Sequence, residues 1–220
     1  MTRFVELSHT IEHGLTTYPG LPPPVISTYM SREASRPHYG EGVEFDIGRI
    51  EMVANTGTYL DTPFHRYVDG SDLSHLGLQA VADLPGVVVR PDVADSPGVR
   101  PSLWEGMDLQ GVALLVETGW SRHWGTEAYS GEGAPFLTAE GVRSLVEAAP
   151  ALVGIDSLNI DSRKDPERPA HSSLLAAGIP IVEHLTGLHR LPDRGFRFFA
   201  VPPRVAGLGS FPVRAFAILP

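Results

Sequence analysis

The sequence predicts an α/β fold with a mostly β core and helices on its outside. Three observations carry that expectation. The chain spends 23 glycines and 20 prolines on 220 residues, and each interrupts regular structure too often for a helix bundle. Its clearest apolar runs are three to five residues long and sit next to glycine, as short buried strands do. Only one segment, 138–149, repeats its apolar residues with a strong helical period.

Taken in order, Leu7-Ser8-His9-Thr10-Ile11 reads as a strand running into a loop, and Gly42 to Ala54 alternates as a long, partly covered strand. Val87-Val88-Val89 after Gly86 and Val112 to Val116 after Gly111 read as buried strands. Thr138 to Ala149 is a helix with Thr138 as its N-cap, Val142, Leu145 and Val146 on one face, and Pro150 as its stop. Ala151 to Ile155 is the next strand. Ser172 to Ala177 is a short helix that ends at Gly178, runs into Pro180 and delivers the strand Ile181-Val182-Glu183. Phe198 to Val201 is a further strand. Arg90 to Pro101 is a polar loop, but no repeat or linker divides the chain, so residues 1–220 are read as one domain.

Composition narrows the function. With 42% hydrophobic and 20% charged residues, a chain of this size buries roughly 70% of the surface it exposes when unfolded. It carries 26 acidic against 17 basic side chains, a net charge of −9, and no basic run longer than Arg163-Lys164. Nucleic acid and anionic membrane are therefore not expected partners, since both need clustered positive charge. No stretch approaches the ~18–20 apolar residues of a spanning helix. Met1-Thr2-Arg3-Phe4-Val5 lacks the apolar run of a signal peptide, so the expected compartment is the cytoplasm. Without cysteine there is no disulfide, thiol nucleophile or thiolate metal site, so any metal must be held by oxygen and nitrogen ligands. Nine histidines keep that route open.

The segment Asn55-Thr56-Gly57-Thr58-Tyr59-Leu60-Asp61-Thr62-Pro63-Phe64-His65 is the most informative. Gly57 allows close backbone approach and Pro63 stiffens the chain ahead of His65, so a carboxylate and an imidazole four residues apart can converge on one point. A turn in which Asp61 merely caps backbone N–H groups fits the same spacing. His9 and His13 form the only other tempting pair, but their i, i+4 spacing shares a face only on a helix.

This segment resembles the signature His-x-Gly-Thr-His-x-Asp-x-Pro-x-His of the cyclase-like metal-dependent hydrolase family, which includes bacterial kynurenine formamidase and isatin hydrolase. Leu7-Ser8-His9 with Tyr18-Pro19-Gly20, Thr118-Gly119-Trp120, Gly154-Ile155-Asp156-Ser157 with Asp161, Ala170-His171, Ile179 to Glu183 and Pro212 to Ala215 follow in family order. The resemblance implies a swivelling β/β/α fold, a homodimer, and hydrolysis of a small cyclic or aryl amide by water on a divalent metal, zinc or manganese. Carried over by position, Asp61, His171 and Glu183 are metal ligands and His65 is the catalytic acid–base. Asn55 and Tyr59 stand where the family has two histidine ligands. They are assigned with Phe64 and Trp120 to substrate binding, and Tyr18 and Phe211 are further candidate walls.

Asn55 and Tyr59 leave three outcomes open: one metal on Asp61, His171 and Glu183; a harder ion that also takes Asn55 and Tyr59; or no metal. A metal-free pocket would suit cyclisation or dehydration, and a third reading is a family member that only binds a small molecule. Asp156 and Asp161 are supporting candidates, and the mixed-charge loop Arg163 to Arg168 is expected to be solvated.

Overall fold

A computed structural model describes residues 2–94 and 96–220. Its strands are β1 Arg3–Glu6, β2 Val25–Met30, β3 Ile47–Glu51, β4 Tyr59–Asp61, β5 Leu84–Val89, β6 Gly98–Val99 and β7 Ala113–Val116, then β8 Phe136–Leu137, β9 Leu152–Ile155, β10 Ile181–Glu183, β11 Phe196–Phe199, β12 Ser210–Pro212 and β13 Phe216–Leu219. The helices are α1 Arg32–Ser35, α2 Ala139–Ala148 and α3 Pro169–Ala176.

Nine strands form one mixed sheet in the order β1-β13-β11-β5-β7-β9-β10-β4-β12. Its centre, β5-β7-β9-β10, is parallel, and the strands flanking that centre on both sides pair antiparallel. The parallel strands are the apolar runs legible in the sequence, because parallel strands are covered on both faces and need apolar residues at successive positions.

Alternation along these strands sorts the interior into two cores. Val88, Leu115, Leu152, Val182 and Leu60 pack on one face with Phe196, Phe198 and Leu185. Val87, Leu114, Val116, Val153, Ile155 and Ile181 pack on the other with α2, α3 and Trp104. Helix α2 presents Val142 and Leu145 to the second core, and Thr138 caps it by accepting the Gly141 N–H at 3.1 Å. The same alternation places β4, β10 and β12. Leu60, Val182 and Phe211 belong to the first core, so Tyr59, Asp61, Ile181, Glu183 and Ser210 face the α3 side.

Several expected boundaries shift. The long strand expected over 42–54 is only Ile47–Glu51, exposed throughout and paired with β2 in a two-stranded arm outside the main sheet. Its alternation is genuine, but among the described residues no second layer covers it. The N-terminal strand is Arg3–Glu6 and ends before Leu7. Helix α3 starts at Pro169, three residues ahead of Ser172, because proline's fixed φ suits the first helical position and its missing N–H costs nothing there. Phe211 is no wall of the polar face, since it packs with the first core.

Gly86 sits where β5 crosses β11, and a Cβ there would enter the buried ring of Phe196. Gly86→Ala is expected to cost about 1–3 kcal/mol of stability through overpacking, read as a lower denaturant midpoint with an unchanged slope.

Candidate functional site

The site begins at a turn that only glycine makes comfortably. Gly57 has φ +66°, and its N–H donates to Thr17 Oγ1 at 2.7 Å, which fixes how the chain enters β4. Period 2 then points Tyr59 and Asp61 to the same face, both buried. The chain leaves β4 through Thr62 and a tight turn over Pro63–His65, which is clamped to Gly209 because the Thr62 N–H donates to the Gly209 carbonyl at 2.7 Å. A side chain at Gly209 would collide with the backbone of Phe64 and His65. His65 and Ser210 therefore meet, with His65 Nδ1 2.9 Å from Ser210 Oγ.

Helix α3 brings the second imidazole. Asp161 lies just ahead of the helix and accepts the N–H groups of Ala170 at 2.6 Å and His171 at 3.1 Å. The same carboxylate accepts the His171 Nδ1–H at 2.6 Å. That contact turns Nε2 toward the sheet, 3.6 Å from Asp61 Oδ2 and 3.9 Å from Glu183 Oε1. Arg168 closes the back, its Nε 3.5 Å from Asp161 and its Nη2 donating to Asn159 Oδ1 at 2.8 Å. The charged loop is thus solvated at Arg163 and Lys164, while Arg168 is turned inward.

Each carboxylate is satisfied differently. Glu183 Oε1 accepts the Ile160 N–H at 2.6 Å and Oε2 accepts the Tyr59 hydroxyl at 2.5 Å. Asp61 Oδ1 accepts the Ser210 hydroxyl, with His65 Nδ1 3.7 Å away and Asn55 Nδ2 3.5 Å away. Asp61 Oδ2 is buried with no hydrogen-bond partner among the described residues. A buried carboxylate oxygen left bare beside an imidazole nitrogen is a place for a cation. Asp61, His65 and His171 each offer a ligand atom, all within 4.8 Å of one another.

Burial dominates the proton affinities and neighbouring charge redirects them. Burial pushes the Tyr59 phenol well above its usual value, and the Glu183 and Asp61 charges push it further. Burial also raises Glu183, with Asp61 adding to the effect. Burial opposes ionisation of Asp61 too, but His171, His65 and Ser210 outweigh it and hold the carboxyl below its ordinary range. Burial alone would lower His171; Asp161, Asp61 and Glu183 raise it to about 10.

The other expected site residues divide between this centre and a separate cleft. Asn55 and Tyr59 stand beside it, Phe64 forms part of the turn that carries His65, and Trp120 donates its Nε1–H to the Tyr129 carbonyl at 2.9 Å. Trp120 lines a cleft with Pro91, Thr118 and Gly133 in which Asp61 and His171 take no part. Asp156 is committed to the turn after β7, accepting the Thr118 N–H and hydroxyl at 2.6 Å each and the Gly119 N–H at 2.9 Å. Sequence reasoning passed over Ser210, set Arg168 in a solvated loop and passed over His184. Their partners lie 149, 9 and 55 positions away, so local spacing carries no signal of them.

A family model described as "Putative cyclase", of the family named Cyclase, matches residues 5–162, and the chain belongs to that family. Its relatives include a kynurenine formamidase from Bacillus cereus (strain ATCC 14579), 28% identical over 97% of this chain and 96% of that protein. Among solved structures, isatin hydrolase A from Labrenzia aggregata, bound to benzyl benzoate, superposes with a TM-score of 0.83 at 22% identity, covering 99% of this chain and 94% of that one. A structure described as a potential metal-dependent hydrolase with cyclase activity superposes with a TM-score of 0.80 at 22% identity, over 99% and 98% of the two chains. These likenesses bear out the α/β fold with its mostly β core.

His171 supplies a pH dependence. Its folded value of about 10 exceeds the ordinary 6.5. The folded chain therefore holds a proton that the unfolded chain releases, and that stabilisation, complete below pH 6.5, is lost as pH rises toward 10. Metal-stripped protein is expected to show a falling denaturant midpoint across that window, with a shallower fall in Asp161→Asn.

Proposed function

We propose, for a chain that belongs to the Cyclase family, that it hydrolyses a C–N bond of a small cyclic or aryl amide. The observation that carries this reading is the bare, buried Asp61 Oδ2 opposite His171 Nε2. Kynurenine formamidase and isatin hydrolase, by their names, act on an aryl formamide and a cyclic amide, and both kinds of relative span nearly the whole chain.

The donor set fits a divalent cation, zinc or manganese. One oxygen is unsatisfied, one imidazole nitrogen faces it, and Glu183 Oε1 retains a lone pair beyond the one taken by Ile160. Asp61, His171 and Glu183 would hold the ion, which when bound lowers the pKa of a water toward neutrality and polarises a carbonyl. The protein's own groups do the rest. Asp161 holds the proton on His171 Nδ1, so Nε2 is the nitrogen that would give up its proton and turn a lone pair toward the ion. His65 stands on the Oδ1 side of Asp61, its side chain about one-third exposed at 35%, and Ser210 fixes its ring. That position suits a proton carrier to the leaving amine, which must exchange with solvent between turnovers. Asn55, Tyr59 and Phe64 are the residues from which substrate contacts are drawn, whereas Trp120, also expected to bind substrate, lines a separate cleft.

The β2–β3 arm supports the homodimer reading. Val25, Ile26, Tyr29, Ile47 and Ile50 are 44–73% exposed on a two-stranded ribbon outside the main sheet. Two strands with apolar side chains uncovered on both faces are marginal alone, and a second copy would bring an identical arm to a self-complementary interface. Among the described residues no helix is long and apolar enough to cross a membrane, which is compatible with the cytoplasm as the working compartment.

Two measurements test these readings. Purified enzyme is expected to hydrolyse an aryl formamide or isatin, followed by absorbance, and His65→Ala to lose about 10²–10⁴-fold in kcat while retaining its metal. Turnover by neither substrate class, with metal bound, overturns the amide reading. Light scattering on eluting protein is expected to give twice 23.8 kDa, and Ile26→Arg with Ile50→Arg to give a monomer.

A further inference from the structure

The two residues that depart from the family signature have found new partners, and the partners are the two carboxylates of the site. The Tyr59 hydroxyl donates to Glu183 Oε2 at 2.5 Å. A carboxylate only accepts, so the phenol proton lies between those two oxygens, and the phenol oxygen is engaged as a donor. Asp61 Oδ1 likewise receives the Ser210 hydroxyl, with the Asn55 amide nitrogen 3.5 Å away. Asp61 therefore spends one oxygen on neutral donors, whereas Glu183 gives Oε2 to the phenol and one lone pair of Oε1 to the Ile160 N–H at 2.6 Å, keeping the other lone pair of Oε1. The remaining pair, Asp61 Oδ2 and Glu183 Oε1, lie 3.6 Å and 3.9 Å from the same atom, His171 Nε2.

We infer that this chain takes up one divalent cation, on Asp61 Oδ2, His171 Nε2 and Glu183 Oε1, and that Tyr59 is the positioning residue that turns Glu183 toward it while closing the Asn55 side to a second ion. The inference rests on the hydrolase reading above and deepens it.

Charge supports the count. Asp61, Asp161 and Glu183 are buried, and Arg168 is the cation paired with Asp161. With His171 coordinating as the neutral imidazole, its Nε2 proton displaced, three carboxylates against one guanidinium leave two negative charges, which one divalent ion neutralises. A second divalent ion would leave an uncompensated excess of positive charge among buried groups, at high cost. Tyr59 can act on affinity without touching the ion, as outer partners of ligating carboxylates do, and their removal typically lowers metal affinity 10–100-fold.

The test is to strip the protein with chelator, titrate it with Zn²⁺ and with Mn²⁺ by calorimetry, and measure bound metal after desalting. Wild type is expected to bind one ion per chain. Tyr59→Phe is expected to keep that stoichiometry with Kd raised about tenfold or more, while its metal-free melting temperature reports whether the fold survives. Asn55→His with Tyr59→His restores two nitrogen donors and is expected to bind two. Two ions in wild type, or an unchanged Kd in Tyr59→Phe, overturn the inference and leave the hydrolase reading standing. No ion in wild type overturns the inference together with the metal-bound water. The wild-type count decides even if the double variant fails to fold.

Discussion

Three carboxylates kept out of water on one face of a sheet are the constraint that shapes this molecule. An ionised carboxylate in the interior costs several kcal/mol unless charge and hydrogen bonds compensate it, and here the compensation is uneven. Asp161 has two backbone N–H groups, an imidazole and a guanidinium. Glu183 has a phenol and a backbone N–H. Asp61 has the Ser210 hydroxyl on one oxygen and imidazoles at 3.6 Å and 3.7 Å. The whole deficit falls on Asp61 Oδ2, so chemistry is concentrated at one atom.

The fold pays for that concentration in one helix start. Arg168 adopts a left-handed backbone, φ +50°, without a glycine, and α3 begins at once behind it. The conformation costs on the order of 1 kcal/mol. It is held because Arg168 reaches Asn159 and Asp161 while Asp161 receives the first free N–H groups of the helix, where a negative charge is favoured. The carboxylate that starts α3 also aims His171, so helix formation and ligand orientation are a single event. Loss of Asp161 would be felt in both.

Much of this was legible in the sequence, for physical reasons that differ by element. The parallel strands were readable because burial on both faces leaves continuous apolar runs, as in Val87 to Val89 and Val112 to Val116. Helix α2 was readable because one apolar stripe and a threonine cap are local signals. The Asp61–His65 pair was readable because a proline and a glycine fix the short chain around it. The exposed arm was misread as partly covered, since alternation reports pleat and not the presence of a covering layer. Ser210 was invisible and Arg168 was read as solvated because hydroxyl and guanidinium groups acquire meaning only from partners that the topology delivers. Phe211 was placed on the wrong face for want of the β4–β12 register, in which it pairs with Leu60 and not with Asp61.

The same register accounts for the wall behind Tyr59. His184 follows Glu183 directly and is left-handed, φ +57°, which turns the chain so that Leu185 reaches the first core while the imidazole folds over the Tyr59 ring at 5.2 Å. The Tyr129 hydroxyl lies 2.8 Å from His184 Nδ1, Trp124 meets His184 edge-on, and His9 stacks on Trp124 at 4.0 Å. Burial pushes His184 down to about 3 and His9 to about 4, so both rings are neutral at physiological pH. A positive ring there would compete with a cation for Asp61 and Glu183. A neutral aromatic wall excludes water and leaves the carboxylates' attraction unscreened, and field strength at a metal or substrate grows as the local dielectric falls. A strained backbone at His184 is therefore the local cost of keeping the Tyr59–Glu183 contact dry.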